Sequence, residues 1–149
     1  MIIDNLAITG ALQISLNNEV VHQCDNLVVT AGKQWVANRF KDAVGGGFAQ
    51  KAEMSHMALG SANTAAAAGD TALVTESSRL ALTTAGGTVS GATVQYDGTW
   101  SAATAAFSVE EAGIFNASSS GVMLARTVFA VINKGTNDTI SISWTITIS

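Results

Sequence analysis

Two adjacent carboxylates, Glu110 and Glu111, are the residues of this sequence whose types best suit acid–base chemistry. Glycoside hydrolases use such a pair, one as the acid and the other as nucleophile or base, on the two sides of a glycosidic bond. The flanking residues alternate as in a strand, where neighbours point to opposite faces. Unless the backbone bulges there, the two carboxylates cannot act together. We therefore expect one solvated glutamate and one that pairs with Arg79 or Arg126.

The other side chains with reactive potential stand apart from one another. His22 and His56 have no second His or Cys at the spacing of a zinc or iron site, and the aspartates are too scattered for a calcium loop. His56 is expected to be a structural histidine. The single cysteine, Cys24, cannot form an intrachain disulfide and is expected to be a small, buried or half-buried side chain. No metal site is predicted.

No sequence motif for catalysis or cofactor binding is present. The chain lacks G-x-S-x-G, a phosphate-binding loop that ends in Lys-Ser or Lys-Thr, and a dinucleotide fingerprint. We therefore expect a protein that is not an enzyme and that holds no cofactor.

The composition narrows the classes of partner. Only 12% of the 149 residues are charged, against about 25% in an average protein, and proline is absent. The net charge of −4 without a basic cluster argues against nucleic-acid binding. No apolar stretch reaches the ~20 residues of a membrane span, and residues 1–5 show no secretory signal. The sequence predicts a single domain, residues 1–149, made in a cytoplasm.

The strongest secondary-structure signal is the unbroken alternation of residues 139–149. One face carries Ile140, Ile142, Trp144, Ile146 and Ile148, and the other carries only Ser and Thr. Charged residues normally discourage pairing at exposed sheets, so an outer face this small and uncharged is unusual toward water. We expect this face to be covered by another layer or another subunit.

Earlier segments predict a hairpin and then a helix. Even positions from 6 to 16 are apolar or Gly, Asn17-Asn18 suits a tight turn, and a returning strand completes a hairpin over residues 5–29. Trp35, Val36 and Phe40 then recur at helical spacing after Thr30, a candidate N-cap. This pattern predicts one amphipathic helix near residues 31–42, extending to 43 at most.

Residues 53–149 predict a β-rich body. Turn signals occur at 85–87, at Asp97-Gly98, at 118–121 and at 133–138, and small residues at 61–70 predict a long surface loop. Together with the hairpin and the helix, this predicts a mainly β fold, either an antiparallel sandwich or a curled sheet.

Large side chains in these elements are the candidates for contacts. The candidates for core or assembly contacts are Trp35, Phe40, Phe115, Phe129, Trp144, Ile146 and Ile148. Tyr96 and Trp100, beside the predicted Asp97-Gly98 turn, are candidates for surface contact, for example by stacking on a sugar. A tryptophan at such a position is more often a core or interface anchor.

Several blocks of the chain resemble small structural proteins of tailed bacteriophages. They are NLVVTAGK at 26–33, MSHMALG at 54–60, TAAAAGDTAL at 64–73, EEAGIFN at 110–116, MLARTVF at 123–129 and ISWTITI at 142–148. None of them is a catalytic signature. The resemblance implies a virion component that forms a homotrimer or another symmetric assembly with itself and contacts other virion proteins.

Three functions follow as expectations. The first is a tail-fibre or baseplate protein whose loops 61–70 and 117–121 face partners or a glycan on the host surface. The second is a capsid decoration protein that clamps subunits of the head. The third, from a different class, is a carbohydrate-binding module, for which Tyr96 and Trp100 are the only candidate aromatic pair.

Overall fold

The computed structural model describes residues 5–40 and 52–149. In that part of the chain, ten strands and one helix occur. Their bounds are β1 Ile8–Leu16, β2 Glu19–Asp25, β3 Leu27–Val28, α1 Thr30–Phe40, β4 His56–Gly60, β5 Glu76–Ala81, β6 Thr88–Ser90, β7 Thr93–Trp100, β8 Phe107–Phe115, β9 Met123–Lys134 and β10 Ile140–Ile148. All strand pairs are antiparallel, and the strands form two five-stranded sheets. The predicted mainly β sandwich is confirmed.

Sheet A has the closing strand at its centre. Its strand order is β2-β1-β10-β7-β6, so β10 pairs with β1 on one side and with β7 on the other. Trp144, for example, lies between Leu12 and Tyr96 in the register. The N-terminal hairpin is thereby joined to the C-terminus of the chain.

Sheet B has the order β3-β9-β8-β4-β5 and packs against sheet A. One hydrophobic core fills the space between them, with Leu12, Ile142 and Trp144 from sheet A and Met57 and Ile114 from sheet B. Burial of alternate residues in β1, β7 and β10 reproduces the two-residue period of the sequence, whereas β4, most of β8 and the first half of β9 are buried on both faces. The outer face of each sheet, the one that points away from this core, is described below.

Two tight turns follow the expected turn chemistry. Asn17 and Asn18 have φ angles of 51° and 69° in the β1–β2 turn, and Gly86 and Gly87 have 77° and 74° before β6. Positive φ is accessible to Asn and Gly at low cost, and paired positive values suit tight reversals.

The predicted turn at Asp97-Gly98 is wrong, because both residues lie inside β7. Asp97 pairs with Ser143 and Gly98 with Ile142. Gly98 is buried on the core side of β7, where a Cβ atom would lie 3.3 Å from Met57 Sδ and from a ring carbon of Trp100. The glycine therefore allows close packing of these neighbouring side chains and does not reverse the chain.

Helix α1 begins one residue before the predicted helix. The Lys33 N–H donates to the Val29 carbonyl at 3.0 Å, which makes Val29 the residue that precedes the first turn. Gly32 allows close contact with β9, since a Cβ atom there would lie 2.0 Å from the Leu124 carbonyl oxygen. Positions 41–43 of the predicted helix lie outside the described residues. The helix has 11 residues, and none in the described ranges combines the length and hydrophobicity of a membrane span.

Candidate functional site

Glu110 and Glu111 lie in two different environments. The β8–β9 register shifts between Val109 and Glu111, where the single residue Glu110 stands against residues 129–131 of β9, so the extra residues of this irregularity lie on β9. Glu111 is fully buried and pairs with Arg126, whereas Glu110 is partly exposed. The expectation that one glutamate pairs with an arginine is confirmed, and the partner is Arg126. The arrangement is an ion pair and not a pair of cooperating acids.

Arg126 fastens the loop between β4 and β5, residues 61–75, to the outer face of sheet B. Its Nη1 donates to Asp70 Oδ2 at 2.8 Å, and its Nη2 donates to the Thr64 carbonyl at 2.9 Å. Glu111 completes the attachment, because its carboxylate accepts the backbone N–H groups of Val74 and Thr75 at 3.1 and 2.7 Å. Buried charges are tolerated only with such partners, so this network gives the loop a single fixed position.

A second arginine holds the loop between β8 and β9, residues 116–122. Arg79 Nη1 donates to the carbonyls of Ala117 and Ser120 at 3.0 and 2.9 Å. Its guanidinium also pairs with Glu76 at 2.6 Å and lies 3.7 Å above the centre of the Phe115 ring. Buried arginine is suited to this role because its planar fork donates in several directions at once.

The two arginines occupy one row across sheet B. Arg79 is opposite Ala58, Ala58 is opposite Gly113, and Gly113 is opposite Arg126. The small residues between the arginines leave room for Leu73, which enters from loop 61–75; a Cβ atom on Gly113 would lie 3.0 Å from it. A second apolar cluster fills this space: Val29, Ala58, Leu73, Phe115 and Met123. Loops therefore cover the outer face of sheet B.

The outer face of sheet A has no such cover within the described chain. Four facing rows can be read from the register. They are Val20, Ser15, Ser141 and Thr99; Gln23, Gln13, Ser143 and Asp97; Asp25, Ala11, Thr145, Gln95 and Thr88; and Thr9, Thr147, Thr93 and Ser90. We call these residues the sheet A face. It contains two carboxylates and no lysine or arginine, which leaves hydroxyl and amide groups as its main chemistry.

Short side chains at the middle of the sheet A face produce a shallow trough. Its volume is about 730 Å³, and its lining includes Ala11, Gln13, Asp25, Gln95 and Thr145. Polar groups beside the trough bond to one another: Ser143 Oγ donates to Asp97 at 2.6 Å, and Gln23 donates to Gln13 at 2.8 Å. The trough is open to solvent and polar.

Comparisons with protein-family models, with curated proteins and with solved structures found no match. What this chain does must therefore be judged from its own surfaces. The two candidate surfaces are the loop-covered face of sheet B and the uncovered sheet A face.

The structure brings most of the core candidates into the interior. Phe115, Phe129, Trp144 and Ile146 are buried. Ile148 and Trp35 are half-buried, and Trp35 packs against the core while its Nε1 donates to the Ala52 carbonyl at 2.9 Å. The side chain of Phe40 lies outside the described part of the chain.

The surface role considered for Tyr96 and Trp100 is corrected by their burial. Tyr96 is 3% exposed and Trp100 is 1% exposed, so neither can stack on a ligand at the surface. Trp100 Nε1 donates to Ser78 Oγ at 2.9 Å. Burial raises the pKa of Tyr96 to about 12, because the phenolate would lose its hydration; the positive charge of Arg39 acts in the opposite direction. The cause of the error is that β7 continues through Asp97-Gly98 and keeps both aromatic side chains on the core side.

The isolated histidines and the cysteine make local contacts. Ser55 Oγ and His56 Nδ1 lie 2.8 Å apart, and Cys24 Sγ lies 3.5 Å from Thr127 Oγ1. Cys24 is half-buried, one of the two environments expected for it. Within residues 5–40 and 52–149, no three His, Cys, Asp or Glu side chains meet as metal ligands would.

Proposed function

We propose that this protein is a structural component of a tailed-phage particle, in the tail fibre or baseplate, and that it acts by assembly. The blocks that resemble phage structural proteins suggest the setting. The distribution of covered and uncovered surface supports the assembly role. The observation that carries the proposal is the uncovered sheet A face, which is nearly free of charge.

Sheet edges are poor sites for assembly in this chain. Strands β3 and β6 have only two and three residues, and short edge strands resist pairing with another chain. The β1–β2 register shifts between Ile14 and Ser15, and bulges of this kind also blunt an edge. The β4–β5 register likewise shifts between Leu59 and Gly60, so the β5 edge also carries an irregularity. Contact through a face is therefore favoured over addition of a strand.

Rigid loops on sheet B supply a second surface for the same role. Arg126 and Arg79 hold loops 61–75 and 116–122 through backbone carbonyls. A loop that is already ordered loses little conformational entropy when a partner binds it. These loops are the surface that we propose for contacts with neighbouring virion proteins or the host.

The structure is compatible with one of the two alternative functions and weakens the other. A capsid decoration protein would use the same face and loops, so it remains the second candidate. A carbohydrate-binding module loses the aromatic pair on which it depended, because Tyr96 and Trp100 are buried.

Labelling of phage particles with an antibody against this chain tests the proposal directly. We expect label on the tail and none on the head. Label confined to the head would replace the tail assignment with the decoration role. Particles that carry no label, when other virion proteins are detected in the same preparation, would overturn the proposed function.

A further inference from the structure

We propose that a second copy of this chain covers the sheet A face, around a two-fold axis that lies in the interface, above the outer side of β10 and parallel to it. This inference rests on the proposed assembly role and specifies its contact surface. The topology suggests the axis, because β10 is the third of five strands. The two-fold rotation about this axis stacks the two sheets face to face. It places β1 of one copy over β7 of the other, and β2 over β6.

Shape complementarity across this axis comes from Ala11 and Gln95. Both are opposite Thr145 in the same row, Ala11 from β1 and Gln95 from β7. The two-fold rotation therefore places Gln95 of each copy over Ala11 of the other. Ala11 and Gln95 both line the trough, and Gln95 is an exposed long side chain whose amide donates to Asp97 of its own copy at 3.0 Å. In the dimer, Gln95 would leave this bond to enter the recess over Ala11. A long side chain thus meets a recess, twice in each dimer.

Charge complementarity points the same way. Gln13 and Asp97 are opposite Ser143 in one row, so the same rotation places the Gln13 amide of one copy over the Asp97 carboxylate of the other. Asp25, at the β2 edge, comes over Thr88 of β6. No two carboxylates face each other, and the amide of Gln13 can donate to an acceptor that carries charge.

The sheet A face is large enough to form an interface of standard size with a second copy. Five strands about 4.8 Å apart, with about seven residues of 3.4 Å in each, span a plane of roughly 24 by 24 Å. Side chains corrugate this plane, so its accessible area approaches the ~800 Å² per partner of a standard interface. The small Ser and Thr side chains allow the two sheets to approach closely, as the sheets of a sandwich do.

An exchange of the long and short side chains provides the sharpest test. Ala11→Gln fills the recess and should weaken self-association at least tenfold in sedimentation equilibrium. The double variant Ala11→Gln with Gln95→Ala moves the long side chain to the other position and should restore the dimer. Ala37→Gln, at an exposed site of helix α1, makes the same substitution away from both proposed contact surfaces and should leave the dimer unchanged. Circular dichroism checks that every variant is folded.

Three results would overturn the inference. They are a wild-type chain that remains monomeric at high micromolar concentration, a mass of three chains, and an oligomer that Ala11→Gln leaves intact. The three-chain mass would favour the homotrimer that the resemblance implies. None of these results decides whether the chain is in phage particles, because labelling of the particles measures that separately.

Discussion

Arg126 and Glu111 form a fully buried ion pair on the outer face of sheet B, below a loop of their own chain. Nε and Nη2 of the arginine donate to the same carboxylate oxygen at 3.0 and 2.8 Å. Asp70 and two loop carbonyls occupy the remaining donors of the arginine. A buried pair of this kind contributes more to the choice of one loop conformation than to net stability. Its loss should therefore affect both the fold and loop 61–75.

Arg126→Met should lower the free energy of unfolding by about 3–5 kcal/mol, because it leaves the Glu111 carboxylate buried without its cation. Urea unfolding followed by circular dichroism measures the change. Lys33→Met removes the same charge from an exposed helix position and should change stability by at most about 0.5 kcal/mol.

The double variant Arg126→Met with Glu111→Met separates the ion pair from simple packing. Removal of both charges should recover a large part of the stability lost in Arg126→Met, since no unpaired charge remains. Residues 61–75 should still be cleaved faster in the double variant than in the wild-type chain, because the loop has lost the hydrogen-bond donors of Arg126. Equal stability of the single and double variants would contradict the buried pair as the cause.

The partner of Glu111 illustrates what the sequence could predict. Alternation in β8 indicates that Glu110 and Glu111 differ in environment, and it leaves Arg79 and Arg126 as partners. The choice between them depends on the neighbours of β8, which are β4 and β9, and such long-range pairing leaves no local signal. The central position of β10 could not be predicted for the same reason. Its pattern predicts a strand, but its partners β1 and β7 are distant segments of the sequence.

The error at Asp97-Gly98 has a different physical cause. An Asp-Gly dipeptide favours a hairpin turn, and here tertiary packing overrides that preference. Gly98 leaves room for the ring of Trp100, and the Asp97 carboxylate accepts from Gln95 and Ser143 on the sheet surface. The alternation of Tyr96, Gly98 and Trp100 indicates that the three residues share one buried face of a strand. The turn predicted at Asp97-Gly98 interrupts that pattern. The Ser and Thr positions of β10, by contrast, do form part of one sheet face; the described residues supply no layer that covers it, and its cover by another subunit stays a prediction.

Tyr96 is the only tyrosine of the chain, so its ionisation can be followed alone by absorbance at 295 nm. Burial raises its pKa to about 12, and we expect the midpoint of the titration near that value in the folded protein. In urea the midpoint should return to about 10. Stability should be intact below pH 10 and fall as the pH rises toward 12, because the unfolded chain releases the proton first. A midpoint near 10 in the folded protein would show that Tyr96 is accessible to water.

Asp138 should make acid stability depend on the turn between β9 and β10. The side chain of Asn17 and the backbone N–H of Gly135 donate to its carboxylate at 2.8 Å each. These bonds, aided by the charge of Lys134, hold the pKa of Asp138 below its ordinary value, although the small desolvation acts the other way. A lowered pKa stabilises the fold above the unfolded-state value, near 4, and this contribution disappears as the pH falls through the folded-state value.

Asp138→Asn tests this dependence, because it removes the titrating group and keeps the size of the side chain. We expect a lower melting temperature at pH 7 and a smaller further loss below pH 5 than in the wild-type chain. Thermal unfolding at several pH values gives the two curves. Glu53→Gln, which neutralises an exposed carboxylate outside the sheet A face, serves as the matched comparison. Parallel curves for wild type and Asp138→Asn would contradict the role of Asp138.

Gly10 should be required because it accommodates a hydrogen bond between Asn26 and Trp144. Trp144 Nε1 donates to Asn26 Oδ1 at 2.7 Å, and a Cβ atom on Gly10 would lie 1.9 Å from that same oxygen. Gly10→Ala must therefore displace the Asn26 side chain and leave the buried indole N–H without its acceptor, at a cost of about 1–3 kcal/mol.

Asn26→Ala removes the acceptor directly and should cost a similar amount. If the obstruction is the cause, the double variant should be destabilised by clearly less than the sum of the two. Without the Asn26 side chain the two nearest atoms to the added methyl group, Asn26 Oδ1 and Cγ, are gone, and the next, Ile146 Cδ1, is the end of a flexible side chain. Urea unfolding of the four proteins gives this coupling, and strict additivity would show that Gly10 and Asn26 stabilise the sandwich independently.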